Sequence, residues 1–133
     1  MPTLNDGLIG QKTVSNTITA RAGGVQATAV LLTSSINQVS VCATAADAVV
    51  LPQAPLSAEI TVINDGVAAL QVFGSLASAD TINSVVTGTG VSIPAAKRAT
   101  FTCYQGAVLA QAAAYGMAAV VAVPGKWAMI LSA

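Results

Sequence analysis

The stretch Ser57 to Gly74, SAEITVINDGVAALQVFG, limits the choice of fold more than any other part of the chain. Two runs of β-branched and apolar residues, Ile60-Thr61-Val62-Ile63 and Leu70-Gln71-Val72-Phe73, stand on either side of Asn64-Asp65-Gly66. An Asp-Gly pair supplies positive φ angles at low steric cost, so the stretch reads as a β-hairpin that turns at Asn64, Asp65 and Gly66. Successive side chains of a strand point to opposite faces. This sets Ile60, Val62 and Asn64 on one side, and Glu59, Thr61 and Ile63 on the other. A sheet with one apolar face needs a second layer to cover it.

The remaining segments continue in this manner. Asn37 to Thr44, NQVSVCAT, alternates Val39 and Val41 against Ser40 and Cys42. Lys97 to Tyr104, KRATFTCY, sets Ala99, Phe101 and Cys103 against Arg98, Thr100, Thr102 and Tyr104. Ala27 to Leu32 and Asp47 to Leu51 read as short strands, and Lys126 to Leu131 as a closing one. Pro52 and Pro55 fall in the corner between strands, because proline cannot donate to a ladder. Ile82 is expected to tuck inward from a loop, and Gly88-Thr89-Gly90 to make a turn. Short strands with turn signals at roughly ten-residue spacing indicate an all-β sandwich or barrel; of the two, the expectation adopted is an antiparallel β-sandwich, jelly-roll-like in one version. No internal repeat of solenoid length stands out. Residues 1–24, rich in Thr, Asn and Gly, are expected to form an extended N-terminal arm. Residues 25–133 are expected to form the sandwich domain, with an Ala-rich insert at about 105–124. The insert's composition suits helix, while Val120, Val121 and Val123 suit strand.

Composition narrows the function. Of 133 residues, 54% are hydrophobic and only 8% charged, with a formal net charge of 0. A typical domain has about a quarter of its residues charged, and a surface with so little charge does not resist association. Much of it is therefore expected to be covered by partners. Zero net charge argues against nucleic acid as a partner, and Lys97-Arg98 reads as a solvated strand edge. Ala107 to Val123 is uncharged, yet short and weakly apolar, so a membrane span is not expected. The first residues lack the apolar core of a signal peptide. Cys42 and Cys103 belong to no CxxC pair and read as buried free thiols.

The chain has no histidine, which removes the commonest general base and metal ligand together. Asp6, Asp47, Glu59, Asp65 and Asp80 form no close pair in sequence, so no catalytic, cofactor or metal site is expected. Gly88-Thr89-Gly90 lacks both the third glycine and the following helix of a phosphate loop. The aromatic set is Phe73, Phe101, Tyr104, Tyr115 and Trp127, and most of it alternates toward a core face, which leaves a sugar platform without support. What remains is a structural or interaction protein completed by assembly.

The succession ITARAGG, VSVCATAADAVVLPQA, AEITVIND, LQVFG, DTIN, AAKRATFTC and GKW resembles the small β-rich virion proteins of tailed bacteriophages, several of which are capsid decoration or cement proteins. The resemblance runs from about Ile18 onward. It rests on the Leu51-Pro52 corner, the strand ending at Asn64, the loop with Ile82-Asn83, and Gly125-Lys126-Trp127. It implies a homotrimeric β-sandwich bound to the outer surface of a shell of major capsid protein, assembled in the host cytoplasm, with no cofactor. The chain departs from that pattern between Gln105 and Pro124, where the apolar segment resembles an insertion. Ala118, Val120 and Val121 within it are expected to form a subunit contact, and the arm to lie across neighbouring capsid subunits. The alternative is a head-fibre base or tail-associated module that binds a host-surface glycan.

Overall fold

Runs of β-branched residues at alternating positions take extended backbone because their side chains pack well on a pleated surface. In a computed structural model, which describes residues 13–53, 58–75, 80–85, 88–105, 114–117 and 121–122, these runs become strands. In chain order they are β1 (Val14–Thr19), β2 (Val30–Leu31), β3 (Ile36–Val41), β4 (Asp47–Val50), β5 (Glu59–Asn64) and β6 (Leu70–Phe73). There follow β7 (Thr81–Ile82), β8 (Val91–Ile93), β9 (Lys97–Gln105), β10 (Ala114–Met117) and β11 (Val121–Ala122). One 3-10 turn covers Gln26–Thr28. The protein is all-β, with two sheets: β1-β3-β5-β9-β10-β7, with β11 also on β9, and β2-β4-β6-β8.

The pairing directions overturn the antiparallel expectation for the first half of the chain. β1, β3 and β5 run parallel in the first sheet, and β2, β4 and β6 run parallel in the second. Parallel neighbours need a long crossover, and here the crossover is a strand of the other sheet. The chain thus winds from sheet to sheet through three stacked levels. Val14, Ile36 and Thr61 lie opposite one another in the first sheet, and Val30, Val49 and Val72 in the second. Successive levels are therefore offset by 19 to 25 residues, a repeat of winding that the sequence does not display. After β6 the direction changes: β8 pairs antiparallel with β6, and β9 antiparallel with β5.

Both sheets contribute to one core. Val39, Ile60, Val62, Ala99, Phe101 and Cys103 come from the first, and Val49, Leu70, Val72 and Ile93 from the second. The alternation expected for β5 and β9 is present, with Ile60, Val62 and Asn64, and Ala99, Phe101 and Cys103, buried in turn. Every residue of β4 is buried because both of its faces are covered. Val49 joins the main core, while Ala48 and Val50 form a small second cluster with Phe73 and Ala29. Ile82 is buried, as expected of a residue tucked inward.

Several expectations are corrected. Asn64, Asp65 and Gly66 do not close a hairpin, because β5 and β6 belong to different sheets; they begin a corner between the layers. Residues 14–19 are a strand of the first sheet, paired on one side among the described residues, and Ala20 is buried, so this part of the expected arm belongs to the body. Residues 1–12 lie outside the described residues. The expected strand Ala27 to Leu32 shrinks to Val30–Leu31 behind the 3-10 turn. In β3 the alternation turns over after Val39: Val41 is 45% exposed and Cys42 buried, since Cys42 has left the ladder to enter a corner. Lys97 and Arg98 are no sheet edge, for their strand pairs with Asn64 and Ile63 on one side and with Ala122 and Val121 on the other. The described parts of the Ala-rich insert are strands, antiparallel to β9.

Candidate interaction surface

Asn64 is the most connected side chain of the corner. It is fully buried, and its amide Nδ2 donates to the carbonyls of Ala68 at 2.8 Å, Ile93 at 2.9 Å and Pro94 at 3.2 Å. Its Oδ1 accepts from the backbone N–H of Gly66 at 3.0 Å. One side chain from the first sheet thereby ties down the corner and the end of β8 in the second. The N–H groups of Val67 and Ala68 donate to the Cys42 carbonyl, which presses Gly66 onto the corner of the level before it. The φ of Gly66 is not positive; glycine is required there by closeness, since an added Cβ would stand 2.5 Å from the Cys42 nitrogen. Asp65 accepts from Gln38 Nε2 at 3.0 Å. These three residues are accounted for by structure. Of the expected subunit contact, Ala118 and Val120 lie outside the described residues, and the backbone of Val121 pairs with Arg98.

Among the described residues, the outer face of the first sheet is only partly buried. Strand alternation that sends Val62 and Phe101 inward sends Thr61, Ile63, Arg98, Thr100 and Thr102 outward. The ladder sets Ile63 opposite Arg98, Thr61 opposite Thr100, and Glu59 opposite Thr102. The hydroxyls of Thr61 and Thr100 hydrogen-bond at 3.0 Å. Between Glu59 and Arg98 the strip is neutral. It continues across β3 to β1, VSNTIT, which carries no charge and no proline, the usual protection of an edge. Among the described residues β1 pairs only with β3, and Val14 is 59% exposed. The sequence reading missed this edge. Its alternation is broken by register shifts around Ser15, Ile18 and Thr19 and by a positive φ at Thr17.

On the second sheet's outer side lies a groove of about 400 Å³, lined among others by Gln26, Ala29, Leu31, Val50 and Ser75. Among the described residues no titratable side chain lines it. Asp47, buried, has a structural role: it accepts from the backbone N–H groups of Ala43 at 3.0 Å and Thr44 at 3.1 Å. Among the described residues no group of three or more Cys, Asp and Glu gathers as a metal site would need. Nor is any helix among them long and apolar enough to cross a membrane.

Cys42 and Cys103 are both buried and neither is in a disulfide, as the sequence reading expects. Burial pushes the Cys42 thiol above its ordinary value, and the nearby charge of Asp47 adds to this. A thiol so placed stays protonated and a poor nucleophile. In native protein at pH 7, a chromogenic disulfide reagent should react with neither thiol over minutes, and with two per chain once urea unfolds it. Fast native reaction at Cys42 would contradict this placement. Because the folded pKa is raised, the thiol's contribution to stability is full below the ordinary thiol range and is lost as pH rises toward the folded pKa.

Compared with known proteins, the chain matches no family model, and no curated protein or solved structure matches it significantly.

Proposed function

We propose that the chain is a structural virion protein that decorates and stabilises a bacteriophage capsid by binding the outer surface of the major capsid protein shell. The observation that carries this reading is the neutral outer face of the first sheet, running out to a strand without charge or proline that is an edge among the described residues. Such a face suits a broad, permanent contact, and an edge suits pairing with a strand of the shell. The low charge of the whole chain and the sequence resemblance support the same reading. In this proposal the protein is a homotrimer in a β-sandwich arrangement, with Ala118, Val120 and Val121 at the contact between copies.

The test is reconstitution on capsids that lack the protein. Wild-type chain should bind in hundreds of copies spread over the shell and raise the temperature at which the particle opens. Thr61→Lys combined with Thr100→Arg places charge in the middle of the contact, and should weaken binding at least about tenfold while leaving the circular dichroism spectrum unchanged. Full occupancy by this variant would overturn the assignment of the surface. A single copy that stays monodisperse at high concentration would overturn the trimer. Tyr104, 57% exposed at the end of β9, is the observation that favours the glycan-binding alternative. A few copies at one vertex, with glycan binding lost in Tyr104→Ala, would establish that reading instead.

A further inference from the structure

Asp65-Gly66 is a chemically labile pair, because glycine has no Cβ to shield its nitrogen from the side chain before it. The glycine nitrogen can attack Cγ of the preceding carboxylic acid. A C–N bond forms, and the N–H proton and the acid hydroxyl leave together as water. Water then opens the five-membered succinimide at either carbonyl. Opening at the backbone carbonyl leaves isoaspartate, in which the chain runs through the side chain and is one methylene longer. Asp65 is exposed, so solvent reaches the site.

The corner opposes each part of this reaction. The Asp65 N–H donates to the Val39 carbonyl at 2.9 Å, and the N–H groups of Val67 and Ala68 donate to the Cys42 carbonyl at 3.1 and 3.0 Å, so the backbone is pinned on both sides of the labile bond. Between these anchors the nucleophile is engaged: the Gly66 N–H donates to Asn64 Oδ1 at 3.0 Å. Asn64 cannot swing away, being fully buried and fastened to the carbonyls of Ala68, Ile93 and Pro94. The electrophile is held by Gln38 of β3, whose Nε2 donates to Asp65 Oδ2 at 3.0 Å while its Oε1 accepts from the Thr17 N–H at 3.3 Å. Nor is there space for the product. A single Cβ on Gly66 would stand 2.5 Å from the Cys42 nitrogen, so an added backbone methylene forces the levels apart.

We propose that Asp65-Gly66 is a modification site, prone to isoaspartate, that the corner holds shut. Asn64 withholds the Gly66 nitrogen, Gln38 withholds the Asp65 carboxyl, and the reaction proceeds when the corner opens. The inference does not depend on what the outer face of the first sheet binds.

The test is to age the wild-type chain at mildly acidic pH, in buffer and in urea that unfolds it, and to count isoaspartate at residue 65 by peptide mapping with electron-transfer fragmentation. The native rate should lie at least about tenfold below the unfolded rate, as for a site that reacts through local opening. Asp6-Gly7 in the urea sample calibrates the rate of an unfolded Asp-Gly pair in the same tube. Equal native and unfolded rates at Asp65 would overturn the proposal, and this comparison needs no variant. Gln38→Met keeps the length of the side chain and removes its donor. Its native rate should exceed that of wild type at least about threefold, with a cooperative thermal melt showing that it is folded. A folded Gln38→Met chain that isomerises no faster than wild type would overturn the hold assigned to Gln38.

Discussion

Gly66→Ala should lower the midpoint of thermal unfolding by about 10 °C, the clearest single effect available at the corner between the sheets. The added methyl would meet the Cys42 nitrogen at 2.5 Å, its Cβ at 2.6 Å and its Cα at 2.9 Å. Two of these atoms are backbone, so no rotamer change relieves the overlap. The levels of the winding must separate locally, at the expense of the hydrogen bonds from Val67 and Ala68 to the Cys42 carbonyl. Overpacking of this kind costs up to about 3 kcal/mol, and each kcal/mol moves the midpoint of a domain this size by roughly 3–5 °C. Gly23 is the control. It has φ +105° but nothing within 4 Å of an added Cβ, so Gly23→Ala carries only the backbone penalty, about 1–2 kcal/mol. Calorimetry of the two variants should rank Gly66→Ala the more damaging, and a wild-type melt for it would show that the levels are not stacked this closely.

Asn64→Leu should destabilise the fold by about 3–5 kcal/mol. Leucine nearly fills the space, but it leaves the carbonyls of Ala68 and Ile93 and the N–H of Gly66 without the partner they have now. Each buried polar group stranded in this way costs about 1–3 kcal/mol. Asn64→Asp separates shape from hydrogen bonding. The carboxylate keeps the outline of the amide but turns an acceptor toward acceptors at 2.8 and 2.9 Å, which disfavours its charged form. Its folded pKa is therefore raised above the unfolded value of about 3.9. The sign follows: the variant is weakest at neutral pH, and it recovers part of the deficit as pH falls through the folded pKa, because the protonated acid donates one hydrogen bond. Urea unfolding at pH 7 and pH 4, each against wild type at the same pH, measures this. A deficit that does not shrink at pH 4 would show that Asn64 matters for its volume alone.

The segments that were legible in the sequence share one physical situation. β5 and β9 lie inside the first sheet with one face on the core and one turned outward, so burial alternates along them and the period of two survives in the residues. Where both faces are covered, as in β4, the alternation vanishes even though the strand remains. β1 was hidden for a different reason. Its register shifts and the positive φ at Thr17 interrupt the pleat, so VSNTIT shows no clean period and reads as part of an arm. The corner at Asn64 was misread because Asn-Asp-Gly suits a two-strand turn and an inter-sheet corner equally well. The residues that decide between them, Cys42, Ile93 and Pro94, are distant in sequence.

The candidate surface was legible in its ingredients but not in its place. Thr100 and Thr102 could be set on the face opposite Phe101 by counting residues, and the shortage of charge was plain from composition. That Thr100 meets Thr61, and that the neutral strip ends, among the described residues, at β1, depends on β5 lying between β3 and β9.

By itself the sequence determined that the chain is all-β, which side of β5 and β9 enters the core, and that both thiols are buried and outside any disulfide. Each of these follows from residue type and a local period, and local physics is enough to set them. Only the tertiary structure decided which strands are neighbours and in which direction they run. Parallel and antiparallel strands carry the same alternation, and here the choice rests on hydrogen bonds and close backbone contacts between residues 19 to 25 apart in the winding, which no short window of sequence contains.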